Sequence, residues 1–245
     1  MLEAMGAGAI DIGSVGDTPP VFAQAAGSNL VYVAATPSAQ HAVLVPQNSD
    51  IKTLADLKGR RVAFAKGSSA HNVAIKALAL GGLTIKDIEP SYLSPADATA
   101  AFNGGKVDAW VVWDPYYAIA AQHYNARVVA DTSDRRLASA SYYLAHRDFA
   151  TRHPLVLAAV LDEIGKTSAW SGQHRDELAA IAAQATGIDA KTWSIAFARA
   201  DFSFGPVTPA HVAQQQQLAD AFQALSIIPR KINVSEFVWQ VPAKP

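Results

Sequence analysis

Short apolar runs alternate with longer amphipathic stretches over the first three-fifths of the chain. The runs predict strands at 9–13, 30–35, 42–45, 61–65, 91–93, 107–111, 127–130 and 141–144. The stretches between them are punctuated as helices. Ser94-Pro95-Ala96-Asp97 offers an N-cap serine, a proline at the first helical position and an acid in the first turn, and Gly104-Gly105 closes that helix. Gly81-Gly82 closes another that begins near Ala70. Strand–helix alternation predicts an α/β fold with largely parallel sheets. Past Arg147 the period becomes helical. One helix is expected from His153-Pro154 to about Trp170, one over 175–186 closed by Gly187, one over 189–198, and one over 209–225 opened by Thr208-Pro209. The final stretch, 229–241, reads as irregular with one short apolar segment.

A short pattern recurs. Gly8-Ala9-Ile10-Asp11 is followed six residues after Asp11 by Asp17, then Pro19. Gly105-Lys106-Val107-Asp108 is followed six residues after Asp108 by Asp114, then Pro115. Each copy reads as helix end, glycine, short strand, loop, aspartate, helix start. Two copies suggest two similar lobes, although patterns this short also match by chance.

Composition narrows the chemistry. The chain has 245 residues, enough for one large domain or two small ones, and a formal net charge of −1. A near-neutral chain has no global field to draw nucleic acid or an acidic membrane, so any anion must be held by a local site. There is no cysteine, which removes disulfides, thiolate nucleophiles and cysteine metal sites. The seven histidines show no His-x-His or His-x-x-x-His spacing, so neither a metal nor another cofactor is expected. No apolar run spans a bilayer, and no signal segment opens the chain. Met1-Leu2-Glu3-Ala4-Met5-Gly6 reads instead as the tail of a helix.

The sharpest candidate site is Lys66-Gly67-Ser68-Ser69-Ala70-His71-Asn72, between a predicted strand and a predicted helix. Free backbone N–H groups at the helix start, two hydroxyls and the helix dipole would converge there on an anion, with His71 as a further donor. The plainer reading makes Ser68 or Ser69 only an N-cap. Gly16-Asp17-Thr18-Pro19-Pro20 is the matching turn of the first repeat, and Trp113-Asp114-Pro115-Tyr116-Tyr117 that of the second. Asp114 before proline suits a structural cap. Trp113, Tyr116 and Tyr117 could line a cleft for an organic group, or pack in a core.

Several segments together carry a family resemblance: 16–27, Leu54-Ala55-Asp56-Leu57-Lys58-Gly59-Arg60-Arg61-Val62-Ala63, 66–72, Val107-Asp108-Ala109-Trp110 with Trp113-Asp114-Pro115-Tyr116, and the tail from Gln214-Gln215-Gln216 to Ile228-Pro229. The chain resembles the periplasmic aliphatic sulfonate-binding proteins of ABC transporters, close to the taurine and nitrate binders. The resemblance implies the two-lobed periplasmic binding protein (type II) fold. Lobe one would be 1–43 plus 141–245, and lobe two 44–140, with hinge crossings near 42–45 and 139–143. The ligand, a small organic sulfonate, would lie between Gly16, Asp17 and Thr18 on one side and Ser68, Ser69, Ala70, His71 and Asn72 on the other, with Trp113, Asp114 and Tyr117 nearby. The match begins after the family's first strand and helix, so the chain is expected to lack them. Partners would be a permease in the inner membrane, not nucleic acid, with the protein acting as a periplasmic monomer and not as an enzyme. Two alternatives stay open. One is a binder of another small anion such as nitrate or taurine. The other is an enzyme on the same fold, such as a desulfinase or a thiamine-precursor synthase, although the desulfinase type looks to a cysteine that is absent here.

Overall fold

The computed structural model describes residues 1–239. Gln240 and Val241, the end of the irregular tail expected at 229–241, lie outside the described residues. The chain forms α1 (Leu2–Gly6), β1 (Ile12–Gly16), α2 (Thr18–Ala25), β2 (Leu30–Pro37), β3 (His41–Pro46), β4 (Arg61–Phe64), α3 (Ser69–Leu80), β5 (Glu89–Tyr92), α4 (Pro95–Asn103), β6 (Ala109–Trp113), α5 (Tyr116–His123), β7 (Ala126–Asp131), β8 (Ala140–His146), α6 (Arg147–Arg152), α7 (Pro154–Gln173), α8 (Arg175–Thr186), α9 (Ala190–Arg199) and α10 (Pro209–Ala224). It divides into two compact units. The first comprises Met1–Ser38, Ser139–Gln173 and the described residues from Phe202 on; the second comprises Ala39–Ala138 and His174–Asp201.

The second unit is built on a five-stranded sheet in the order β5-β4-β6-β3-β7. β4 runs parallel to β5 and β6, while β3 is antiparallel to β6 and β7. The sheet is covered on both faces, which explains why its strands read as near-continuous apolar runs. Side chains alternate between two cores with period two. Val43, Val45, Val62, Phe64, Ala109 and Val111 face α3, which contributes Ala70, Val73, Ala74, Ala77 and Leu78. Ala42, Leu44, Ala63, Trp110 and Val112 face α4 and α5, which contribute Ala98, Phe102, Tyr117 and Ala120. Each Val or Leu so buried contributes about 1.5–3 kcal/mol against exposure.

The first unit has a three-stranded sheet, β1-β8-β2, in which β8 pairs antiparallel with both neighbours. The expectation of largely parallel sheets fails here. β1, α2 and β2 do form a strand–helix–strand unit with parallel strands, but the returning β8 is inserted between them. No local sequence signal announces that insertion, because the pairing joins segments far apart in the chain, as in Ile12 with Ala145 and Leu30 with His146.

The repeat is real in the backbone. Asp11 and Asp108 each precede a five-residue strand, β1 and β6, and Asp17 and Asp114 each follow it, Asp17 directly before α2 and Asp114 separated from α5 by Pro115. Gly8 and Gly105, at φ 72° and 64°, supply the left-handed turn out of the preceding helix in both copies. Two of the expected caps form. Ser94 Oγ accepts the Asp97 N–H at 3.2 Å and Thr208 Oγ1 that of His211 at 3.3 Å.

Residues 174–201 group with the second unit, not with the first as the sequence suggested. The reason is chemical. Arg199 of α9 pairs with Asp114 at 2.7 Å, and Gln122 Nε2 of α5 donates to Thr192 Oγ1 of α9 at 3.1 Å. The unit boundaries fall at 38/39 and 138/139, whereas 42–45, expected as a crossing, is the interior of β3.

Candidate functional site

The chain leaves β4 at Phe64 and turns before α3. Gly67 sits at φ 74°, a conformation that a side chain would strain. Ser68 is the N-cap residue, extended at φ −97° and ψ 172°, yet its side chain caps nothing. Its hydroxyl donates instead to the Ala65 carbonyl at 2.7 Å and pins the turn. The Ser68 carbonyl accepts the N–H groups of His71 at 3.0 Å and Asn72 at 3.4 Å. The N–H groups of Ser69 and Ala70 meet no backbone or side-chain acceptor among the described residues. They open the positive end of a 12-residue helix, the arrangement that holds anions.

The side chains around this turn have defined partners. Ser69 Oγ is 2.8 Å from His41 Nε2, and His41 Nδ1 is 2.7 Å from the Ala39 carbonyl. A carbonyl only accepts, so Nδ1 carries the proton. Burial brings the His41 pKa down to about 4, and the charge of Lys76 pushes the same way. The ring is therefore neutral near pH 7, Nε2 is bare, and the Ser69 hydroxyl donates to it. His71 lies in the first turn of α3. Its Nδ1 accepts the Gly67 N–H at 3.3 Å, and its ring stacks on Phe64 at 5.1 Å. Burial, then Lys66, holds its pKa at about 4, so it braces the turn as a neutral ring. Ala70 and Asn72 are buried; Ala70 joins the α3 core.

Trp113 ends β6 in register with His41 at the start of β3, their rings 6.0 Å apart. Ser69, His41 and Trp113 thus gather at one edge of the sheet, the carboxyl end of its parallel strands, where ligands of α/β folds bind. Asp114, whose N–H donates to the Gln40 carbonyl at 2.9 Å, and Tyr117 both contact Arg199. Asp114 takes two bonds from its guanidinium, at 3.1 and 2.7 Å, and one from the Ala118 N–H at 3.1 Å. The guanidinium lies 4.0 Å from the centre of the Tyr117 ring. The N-cap of α5 is Pro115, not Asp114, and the Asp114–Pro115 peptide is cis.

The first repeat's turn is built differently. Gly16 pairs with Ser141 in the first unit's sheet. Asp17 is buried, and its carboxylate accepts the Thr18 hydroxyl at 2.9 Å. Gln215 Nε2 donates to the Asp17 carbonyl and to Tyr32 Oη, the latter at 3.0 Å. Pro19 and Pro20 remove two N–H groups from the start of α2, so this helix offers fewer donors than α3.

Sequence reasoning missed His41 and Arg199. His41 was one histidine among seven, and its partner Ser69 is 28 residues away. Arg199 meets Asp114 across 85 residues. Neither spacing leaves a local signal.

Comparison with known proteins bears on the whole chain. The NMT1/THI5-like family profile matches residues 1–177. A protein of Escherichia coli strain K12 named as an aliphatic sulfonates-binding protein is 44% identical over 243 residues, covering 98% of this chain and 76% of the relative. The crystal structure of the periplasmic aliphatic sulphonate binding protein from Escherichia coli superposes with a TM-score of 0.93 at 42% identity, over 100% of this chain and 80% of that one. The alkanesulfonate-binding protein from Xanthomonas axonopodis pv. citri, solved bound to MOPS, gives 0.90 at 38% identity, over 97% and 83%. This chain belongs to the NMT1/THI5-like family and, within it, to the aliphatic sulfonate-binding proteins.

Proposed function

We propose that this protein is the solute-binding component of an ABC importer and that it captures aliphatic sulfonates at the turn between β4 and α3. The observation that carries the reading is the pair of N–H groups of Ser69 and Ala70 at the start of α3, with no protein acceptor among the described residues. A sulfonate keeps its charge at any working pH and has three acceptor oxygens, so it needs donors and no acceptor. Trp113, beside His41 at the same edge, supplies an apolar face for the organic tail. Gly67, Ser68 and His71 hold the turn in shape. Asp114 and Tyr117 are fixed by Arg199 next to Trp113 in the chain. Gly16, Asp17 and Thr18 belong to the first unit's own network. The reading places the protein in the periplasm, as the matched sulphonate-binding relative is named, acting as a monomer that delivers ligand to an inner-membrane permease.

The protein is read as a binder and not as an enzyme. The described residues hold no cysteine nucleophile. A calorimetric panel of ethanesulfonate, taurine, nitrate and acetate tests the reading. Micromolar affinity for the alkanesulfonate, about −8 kcal/mol, with weaker nitrate and acetate, supports it. Equal affinity for nitrate, or none for any sulfonate, contradicts it. Sulfite released from ethanesulfonate would revive the enzyme alternative.

A further inference from the structure

If the α3 turn holds a sulfonate, as proposed above, the Ser69 hydroxyl meets it with the wrong polarity. A sulfonate presents acceptors only. In the free protein the Ser69 proton is committed to His41 Nε2 at 2.8 Å, because Nδ1 is committed to the Ala39 carbonyl at 2.7 Å. Ser69 Oγ would then turn lone pairs toward a negative oxygen, a repulsive contact beside otherwise favourable N–H groups.

One proton reverses the bond. An imidazolium donates from both nitrogens, so Nδ1–H stays on Ala39 while Nε2–H donates to Ser69 Oγ. The serine hydroxyl is released to donate to the anion, and a positive charge stands directly behind it. Nothing else moves, since both ring contacts keep their partners and only the direction of one bond changes. We infer that sulfonate binding draws a proton from solvent onto His41 Nε2, making His41 the positioning residue that turns Ser69 from an acceptor into a donor. The idea rests on the α3-turn reading.

The surroundings of His41 leave the anion as the partner that would favour charging it. From α3, Lys76 disfavours the imidazolium; its ammonium donates to the Ala138 carbonyl at 2.9 Å. His71, also on α3, and Lys66 in the turn carry no negative charge. Beyond β6, Asp114 is neutralised by Arg199. On β7, Asp131 accepts from the Ser133 N–H at 2.9 Å and from its hydroxyl. Beside it Thr132 Oγ1 accepts the His41 N–H at 2.9 Å. Among the described residues no carboxylate bonds to the His41 ring. Its burial keeps it neutral in the free protein, and an anion at Ser69 is the missing counter-charge.

Calorimetry with ethanesulfonate tests this, in two buffers of unlike ionisation enthalpy that are not themselves sulfonates. At about pH 5.5 the parent should take up a measurable fraction of a proton per ligand, and its affinity should rise toward acid by at most about tenfold per pH unit. His41→Gln, whose amide can donate to Ser69 Oγ without titrating, should bind with no uptake and a flat profile. Ser69→Ala, which leaves His41 in place, should also lose the uptake, and it serves if the glutamine variant does not fold. Binding by the parent without uptake between about pH 5 and about pH 8, or unchanged uptake in either variant, overturns the relay. Absence of sulfonate binding at every pH strikes the function itself, a distinguishable outcome.

Discussion

Replacing Arg199 by methionine should destabilise the second unit severely. The Asp114 side chain is only 6% exposed and that of Arg199 29%. Asp114 holds three donors, two of them from the guanidinium. Arg199→Met removes both and leaves an ionised carboxylate with the Ala118 N–H alone. Breaking a buried pair from one side costs about 3–5 kcal/mol. The exposure of Arg199 lets water reach the vacated position, so about 3 kcal/mol is expected. The loss of the guanidinium over Tyr117 is part of the same change. Asp114→Asn combined with Arg199→Met removes the stranded charge and should recover about half of the loss, since two apolar or neutral partners are far less costly than one orphaned charge. Urea unfolding followed by tryptophan fluorescence, for the parent, both single variants and the double, gives the cycle. If Arg199→Met unfolds within about 0.5 kcal/mol of the parent, Asp114 is solvated and the anchoring of α9 onto α5 has been misjudged.

Gly67→Ala should cost about 1–2 kcal/mol, because φ 74° suits only glycine, and should weaken ligand binding as the turn relaxes; thermal melts and titration read both. Ser68→Ala removes the bond to the Ala65 carbonyl, so about 1 kcal/mol of stability should go while ligand affinity stays within threefold, roughly, of the parent. Acid should weaken the ligand-free protein. His41 has a folded pKa near 4 against an ordinary 6.5, so the unfolded chain binds the extra proton, and the stability present above about pH 6.5 is lost as pH falls toward 4. His71 adds in the same window and direction. Melting temperature followed from pH 7.5 to 4 should fall less steeply in His41→Gln than in the parent; identical slopes would mean that His41 is not held neutral.

Much of this architecture is written in the sequence as local chemistry. All eight strands were expected within a few residues of where they lie, because apolar runs between glycines and prolines have few other solutions. The largest shift is β1, expected at 9–13 and found at Ile12–Gly16, where Gly8 and the turn after α1 delay the strand. The repeated Asp spacing was legible because each aspartate marks a strand boundary. The α3 turn could be found from Gly67, Ser68 and Ser69, since a helix start after a strand fixes its own free N–H groups. The polarity of the hydroxyls could not. Ser68 donates backward to Ala65, and Ser69 donates to a histidine in another strand, so neither serves as the simple anion donor that a serine pair suggests. The same limit hid the grouping of α8 and α9 with the second unit, which depends on ion pairing between residues far apart in the chain.

The central claim is that a sulfonate is held by the N–H groups opening α3, and Ser69→Pro tests it most directly. Proline is tolerated at the first position of a helix, where its missing N–H breaks no internal bond. Ser68, which precedes it, is already extended at φ −97° and ψ 172°, the backbone that a following proline requires. The fold should persist, as circular dichroism can verify, while one of the two amide donors disappears together with the hydroxyl. A hydrogen bond to a charged group is worth about 1.5–3 kcal/mol, so titration with ethanesulfonate should show affinity reduced about tenfold to a hundredfold or more. Ser69→Ala, which keeps the amide, should lose less. A folded Ser69→Pro protein that binds ethanesulfonate as tightly as the parent would contradict the account.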